Sequence, residues 1–198
     1  MHYRHAEIYL YNRCTYSCGY CLLSETGLVL DTNTYNKYKD KDFVLKFTDF
    51  FNSRTTENEK WKVLLSGGEP MIMPNFEYCC DLLLEKGNIV NLNTNMSVSK
   101  HHHAFKYLLD KSGDQFDYMM ISFHPQAEDK EDEFFEKLAL LREAGHFIIC
   151  KLVGHPKRLH LLEHLDQRCK EVDVCFFPAS LSSRIYPQNY TRSEERRV

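Results

Sequence analysis

Three cysteines, Cys14, Cys18 and Cys21, fall inside eight residues, while the other five of the chain's eight are scattered. At the spacing Cys-x3-Cys-x2-Cys, three thiolates can wrap one face of a cubane and ligate three of the four irons of a [4Fe–4S] cluster. No fourth cysteine is adjacent, so one iron would stay open to a small-molecule ligand. The alternative is a zinc site completed by a remote residue such as His124 or His155. Zinc knots favour paired Cys-x2-Cys hooks, and the three-residue gap counts against them. A second segment, Ser66-Gly67-Gly68-Glu69-Pro70, sets paired glycines where a backbone can approach a ligand closely. Its Glu69 offers an acceptor for an ammonium group.

Both segments must be positioned by a scaffold, and the apolar pattern supplies one. Short apolar runs at 6–11, 61–66, 88–93, 117–122, 146–151 and 172–177 read as strands, spaced at about one βα unit each. Between them the period changes to that of a helix. Phe43, Phe47, Phe50 and Phe51 share one face, as do Phe76, Cys79, Cys80, Leu83 and Leu84. Further stripes run through Phe134, Phe135, Leu138 and Leu141, and through Leu161, Leu162, Leu165 and Cys169. Gly87 and Gly145 follow two of these helices as C′ residues, and Pro156 suits the first turn of the last.

Strands alternating with helices predict an α/β fold with an all-parallel sheet and right-handed crossovers. A full eight-unit barrel needs about 250 residues, and 198 residues leave room for six units. The expected fold is a partial (βα)6 barrel, laterally open; an open doubly wound sheet remains the variant. In either, ligands belong at the carboxyl ends of the strands. The loops beginning at Asn12, Ser66, Asn93, Ser122, Lys151 and Phe177 are therefore the ones that bear function.

Composition bounds the classes. The chain is 43% apolar and 27% charged, with 25 basic and 28 acidic residues. That balance lacks the electrostatic footprint of a nucleic-acid binder, and no apolar run approaches the length needed to cross a bilayer. Clustered cysteines without disulfide-scaffold density point to metal chemistry in a reducing compartment, so a cytoplasmic location is expected. The expected organisation is a core over 1–180 and a tail over 181–198. In the tail Thr191 stands three residues before Glu194, the spacing of a capping box. A natural chain continuing past Val198 is the expectation from that half-announced helix.

With both motifs at strand ends, the sequence resembles the radical S-adenosylmethionine (SAM) superfamily. The carriers are Cys14-Thr15-Tyr16-Ser17-Cys18-Gly19-Tyr20-Cys21, with Tyr20 at the aromatic position, and the Gly-Gly-Glu-Pro segment. The likeness in motif order and strand count covers roughly residues 6–178. It implies a [4Fe–4S] cluster held by Cys14, Cys18 and Cys21, with S-adenosyl-L-methionine chelating the open iron. It implies further that Tyr20 approaches the adenine and that Gly67, Gly68 and Glu69 meet the methionine amino group. By the same likeness Asn95 belongs to a strand-three segment facing cofactor and substrate. Ser122 matches a serine near the ribose or carboxylate, and His124 stands where relatives often carry aspartate. Val153 beside Leu152, and Phe177 beside Pro178, would flank the adenine. The implied activity is reductive cleavage of SAM to a 5′-deoxyadenosyl radical that abstracts hydrogen from a substrate.

Other residues read more plainly. Cys79, Cys80, Cys150, Cys169 and Cys175 are expected in the core, and His101, His102 and His103 in a solvated first turn. His124 and His155 follow strands at the rim, where either can contact substrate or move a proton. Lys151 and Arg184 are candidate anion binders or surface charge, and the stretch 22–40 is a candidate lid. The expected partners are a peptide or small-molecule substrate and a flavodoxin- or ferredoxin-type electron donor, with no nucleic acid and no membrane. An iron–sulfur electron carrier without SAM cleavage and a zinc-stabilised interaction module are the competing classes.

Overall fold

The computed structural model describes residues 1–10, 13–21, 32–111 and 113–180. Among them six strands, β1 (His2–Tyr9), β2 (Glu59–Ser66), β3 (Ile89–Thr94), β4 (Met119–Phe123), β5 (Ile148–Gly154) and β6 (Cys175–Ser180), form one sheet. Every neighbouring pair is parallel. The spatial order is the sequence order, β1-β2-β3-β4-β5-β6. A doubly wound sheet reverses its strand order at a switch point. This one never reverses, so it is a singly wound, partial (βα)6 barrel, open between β1 and β6.

The crossovers carry α1 (Thr32–Lys37), α2 (Lys41–Asn52), α3 (Phe76–Glu85), α4 (His103–Leu109), α5 (Glu131–Glu143) and α6 (Leu162–Glu171). Asp40 starts α2 by accepting a hydrogen bond from the Asp42 amide, the expected work of an aspartate N-cap. Gly87 and Gly145 follow α3 and α5 at φ 73° and 91°, as their sequence positions predict. The predicted last helix divides: Pro156 opens a 3-10 turn, Pro156–Leu161, and α6 begins only at Leu162. A similar 3-10 segment, Pro125–Lys130, precedes α5.

The sheet's period of two separates its faces. One register row, Ile8, Leu65, Leu92, Met119 and Ile148, is apolar throughout. It packs with Val44, Phe51, Phe76, Leu83, Phe105, Phe135 and Leu138 of the helices into the core. The alternate residues line the face that the helices leave open. There Asn93, Met120, Ile149 and Cys175 form one row, and Ser122, Lys151 and Phe177 the row above it.

Strand ends differ from expectation in a regular way. β1 begins at His2, four residues early, because the polar stretch His2–His5 pairs along β2 without an apolar signal. β4, β5 and β6 begin two or three residues later than the apolar runs that announce them. Cys79, Cys80, Cys150 and Cys169 are core residues, as expected. Cys175 is not: it lies exposed on the open face of the edge strand β6. Tyr11, Asn12, Arg184, the tail with its Thr191–Glu194 pair, and most of the candidate lid lie outside the described residues.

Candidate functional site

The site assembles where β1, β2 and β3 end. The Leu10 amide donates to the Ser66 carbonyl at 3.0 Å, extending the β1–β2 ladder past the strands, and the Glu69 amide donates to the Arg13 carbonyl at 2.9 Å. These two bonds flank the Gly67–Gly68 turn and fix the cysteine loop against it. Gly67 sits at φ 125°, a conformation that side chains rarely tolerate and glycine adopts freely.

Glu69 is fully buried. Its Oε1 accepts from the Met71 amide at 3.0 Å and from the Thr94 hydroxyl at 2.6 Å. Its Oε2 accepts from the Asn95 amide at 2.7 Å. Burial pushes this carboxyl above the usual carboxylate range, against the pull of those three donors. Through these bonds Glu69 ties the end of β3 to the loop after β2. Its neighbours Gly67 and Gly68 are only half-buried at the rim.

Asn95 carries the connection onward. Its Nδ2 donates to Cys14 Sγ at 3.3 Å and to Thr15 Oγ1 at 3.2 Å, while its Oδ1 accepts from the Ser97 amide. The Tyr16 amide also donates to Cys14 Sγ, at 3.4 Å. Cys21 closes the loop by donating its amide to the Cys18 carbonyl at 3.0 Å. All three loop cysteines are free thiols.

A second tier comes from the loops after β4 and β5. His124 Nδ1 lies 3.4 Å from Cys18 Sγ and 3.1 Å from the Tyr20 hydroxyl. The Tyr20 and His124 rings are stacked at 6.2 Å, and Tyr16 meets His124 edge-on at 5.7 Å. His155 is 6.0 Å from Tyr20, but its Nδ1 accepts from the Lys157 amide at 3.2 Å; it caps the 3-10 turn that Pro156 opens. Ser122 is buried on the open face, in register with the half-buried Lys151 and the exposed Phe177. Val153 lies two residues further along β5, in register with Ala179.

Burial dominates the electrostatics of the site. Burial, then the negative charge of Cys14 and Cys21, pushes the Cys18 thiol up to about 11. Burial also pushes Cys14 up, in spite of the Tyr16 amide. His124 is pushed down to about 4 by burial, then by Arg158 and Lys151, and is neutral at pH 7. Burial lowers Lys151 more than Glu7 raises it. The Cys14 and Cys18 thiols, both pushed up, would give up their protons most readily to a cationic partner such as an iron core. Among the described residues no three histidine, cysteine, aspartate or glutamate side chains converge on a single ion.

Two contributors carry no sequence signal. Arg158, 6% exposed, reaches from the 3-10 turn to Glu128 and the Phe123 carbonyl, and its charge acts on the Tyr20 phenol. Lys137 of α5 donates to the Met96 and Val98 carbonyls at 2.8 and 3.1 Å. Both act across long sequence separations, where spacing rules say nothing.

No protein-family model matches the chain, and no curated protein is similar to it in sequence. Solved structures are similar in fold. Against Streptococcus suis SuiB the TM-score is 0.68 at 15% identity, covering 98% of this chain and 44% of that one. SuiB bound to S-adenosylmethionine gives 0.65 at 17% identity, covering 98% and 42%. SuiB bound to the precursor peptide SuiA gives 0.69 at 17% identity, covering 98% and 44%. The chain thus has a fold found in SuiB and spans less than half the length of those proteins.

Proposed function

We propose that the chain is a radical SAM enzyme core, with residues 1–180 as its catalytic domain and 181–198 as a tail. One observation carries the reading: the loop that bears three free thiols is held against the Gly67–Gly68 turn and Asn95 at the carboxyl ends of β1, β2 and β3. A protein of the same fold that binds S-adenosylmethionine supports it. When bound, a reduced [4Fe–4S] cluster and SAM supply a 5′-deoxyadenosyl radical able to take hydrogen from an unreactive C–H bond.

The chain's own residues prepare the site for that chemistry. Cys14, Cys18 and Cys21 hold three irons and leave one position for SAM. The half-buried Gly67–Gly68 backbone receives the methionine ammonium, and Glu69 serves by orienting Thr94 and Asn95. Ser122 lines the open face toward ribose or carboxylate. Tyr20 and Phe177 offer rings, and Val153 an aliphatic side chain, to the adenine, and Tyr20 shields Cys18 from water.

A peptide is the substrate class we favour, because the fold is that of a protein that binds a precursor peptide. A flavodoxin- or ferredoxin-type protein supplies the electron, in the cytoplasm. The test is anaerobic reconstitution with iron and sulfide, reduction, addition of SAM and measurement of 5′-deoxyadenosine by mass spectrometry. Product from the wild type and none from Cys18→Ala is the expected result. Four bound irons without product would instead make this an electron carrier, and no iron uptake would defeat the reading.

A further inference from the structure

His124 is the one side chain outside the cysteine loop for which the structure gives a ring nitrogen against a loop thiol, 3.4 Å from Cys18 Sγ. The contact is held from several sides. Tyr16 and Tyr20 pack on the ring at 5.7 and 6.2 Å, and Tyr20 touches the same nitrogen at 3.1 Å through its hydroxyl. The positive charge of Arg158 acts on the same phenol, lowering its pKa against the effect of burial. Arg158 is in turn fixed by Glu128, to which its Nε donates at 3.1 Å, and by the Phe123 carbonyl at 3.4 Å. A phenol and an imidazole are thereby stacked behind one of the three loop cysteines, with a buried guanidinium near them.

A metal-bound thiolate has only lone pairs to offer, so a group at hydrogen-bond distance from it must donate. Donation to a cluster sulfur stabilises the electron-rich, reduced cluster and raises its potential. We infer that His124 is a positioning residue for the cluster: its Nδ1–H donates to the Cys18 thiolate and makes the cluster easier to reduce. Tyr16 and Tyr20 hold it in place. The role requires no change in protonation, and it moves one electron, from an external reductant into the cluster, with no protein bond made or broken. It rests on the radical SAM reading above, and assigns His124 to the cluster rather than to SAM.

The test is an EPR-monitored dithionite titration of reconstituted protein without SAM, beside iron and sulfide analysis. His124→Phe keeps a ring against Tyr16 and Tyr20 but loses the donor; His124→Leu is a second apolar replacement. His124→Asn restores an N–H close to the Nδ1 position. The expected result is normal iron content throughout, a midpoint potential below wild type in Phe and Leu, and recovery toward wild type in Asn. Loaded Phe and Leu variants at the wild-type potential would overturn the inference, as would an Asn variant that behaves like Leu. So would a potential that drops in Tyr20→Phe but in no His124 variant, since the phenol would then be the donor. A wild type that takes up no iron defeats the underlying reading and this one with it, and iron analysis tells that failure from the others.

Discussion

Asn95 spends its polar atoms at one junction: Nδ2 on Cys14 and Thr15, Oδ1 on the Ser97 amide, and its own amide on Glu69. The loop motifs on either side of it were legible because the proposed iron ligation and close backbone approach would each impose local spacing, and Cys14-x3-Cys18-x2-Cys21 and Gly67-Gly68 have such spacing. The role of Glu69 was not legible. Nothing in Gly-Gly-Glu-Pro says that the carboxylate turns inward to Thr94 and Asn95, because its partners lie 25 and 26 residues away. Nor does the sequence distinguish His124, beside Cys18, from His155, which caps a turn. Asn95→Asp tests the junction at this scale. It preserves shape, replaces the donor to Cys14 with an acceptor and adds negative charge beside a thiol that must ionise to bind iron. Loss of a partner that orients a metal ligand costs about 10- to 100-fold in affinity. Iron retention against a chelator should fall by that order, with the circular dichroism spectrum unchanged; undiminished retention would mean that Cys14 needs no orienting partner.

At the scale of elements, α5 does more than pack. Its Lys137 is 4% exposed and holds the turn after β3 by two carbonyls, Met96 and Val98, with Glu133 at 3.5 Å one helical turn back. Met96, the first of these, sits at φ 52°, a left-handed conformation that costs a non-glycine residue energy and persists only when its surroundings hold it. The Thr94 hydroxyl accepts its amide at 3.0 Å and Lys137 takes its carbonyl. The stripe Phe134, Phe135, Leu138 and Leu141 announced α5 because burial recurs at helical period. A lysine inside that stripe reads as surface charge until its carbonyl partners are seen. Lys137→Met keeps the length and apolar stem but leaves both carbonyls without their ammonium. By the usual cost of unsatisfied buried acceptors this is about 2 kcal/mol or more. The urea midpoint should fall accordingly at unchanged slope. An unshifted midpoint would show that solvent satisfies the turn.

The whole molecule was legible in outline because parallel strands buried under helices write themselves as apolar runs, and six such runs do not fill an eight-unit barrel. Strand order was not: runs at 61–66 and 88–93 look the same in a sheet that winds one way or two, and only the pairing of each strand with its sequence neighbours decides. Cooperation between units is visible in His146, fully buried just before β5. Its Nε2 donates to the Leu108 carbonyl at the end of α4, at 2.7 Å. Its ring meets Phe116 edge-on at 5.7 Å, and its Nδ1 has no hydrogen-bond partner among the described residues. Protonation there would bury a charge, and burial accordingly pushes this imidazole below the ordinary histidine value of 6.5, outweighing the Leu108 carbonyl. A base whose folded pKa is depressed contributes stability that is present above its unfolded value and lost as pH falls toward the folded one. The melting temperature of the protein should therefore fall as pH drops below about 6.5, before most carboxylates titrate. His146→Gln keeps an N–H for Leu108 and cannot take up a proton. It should be less stable than wild type at pH 8, through imperfect packing, yet lose less on acidification from 7 to 5. Parallel loss in the two proteins over that range would place the acid-sensitive group elsewhere in the fold.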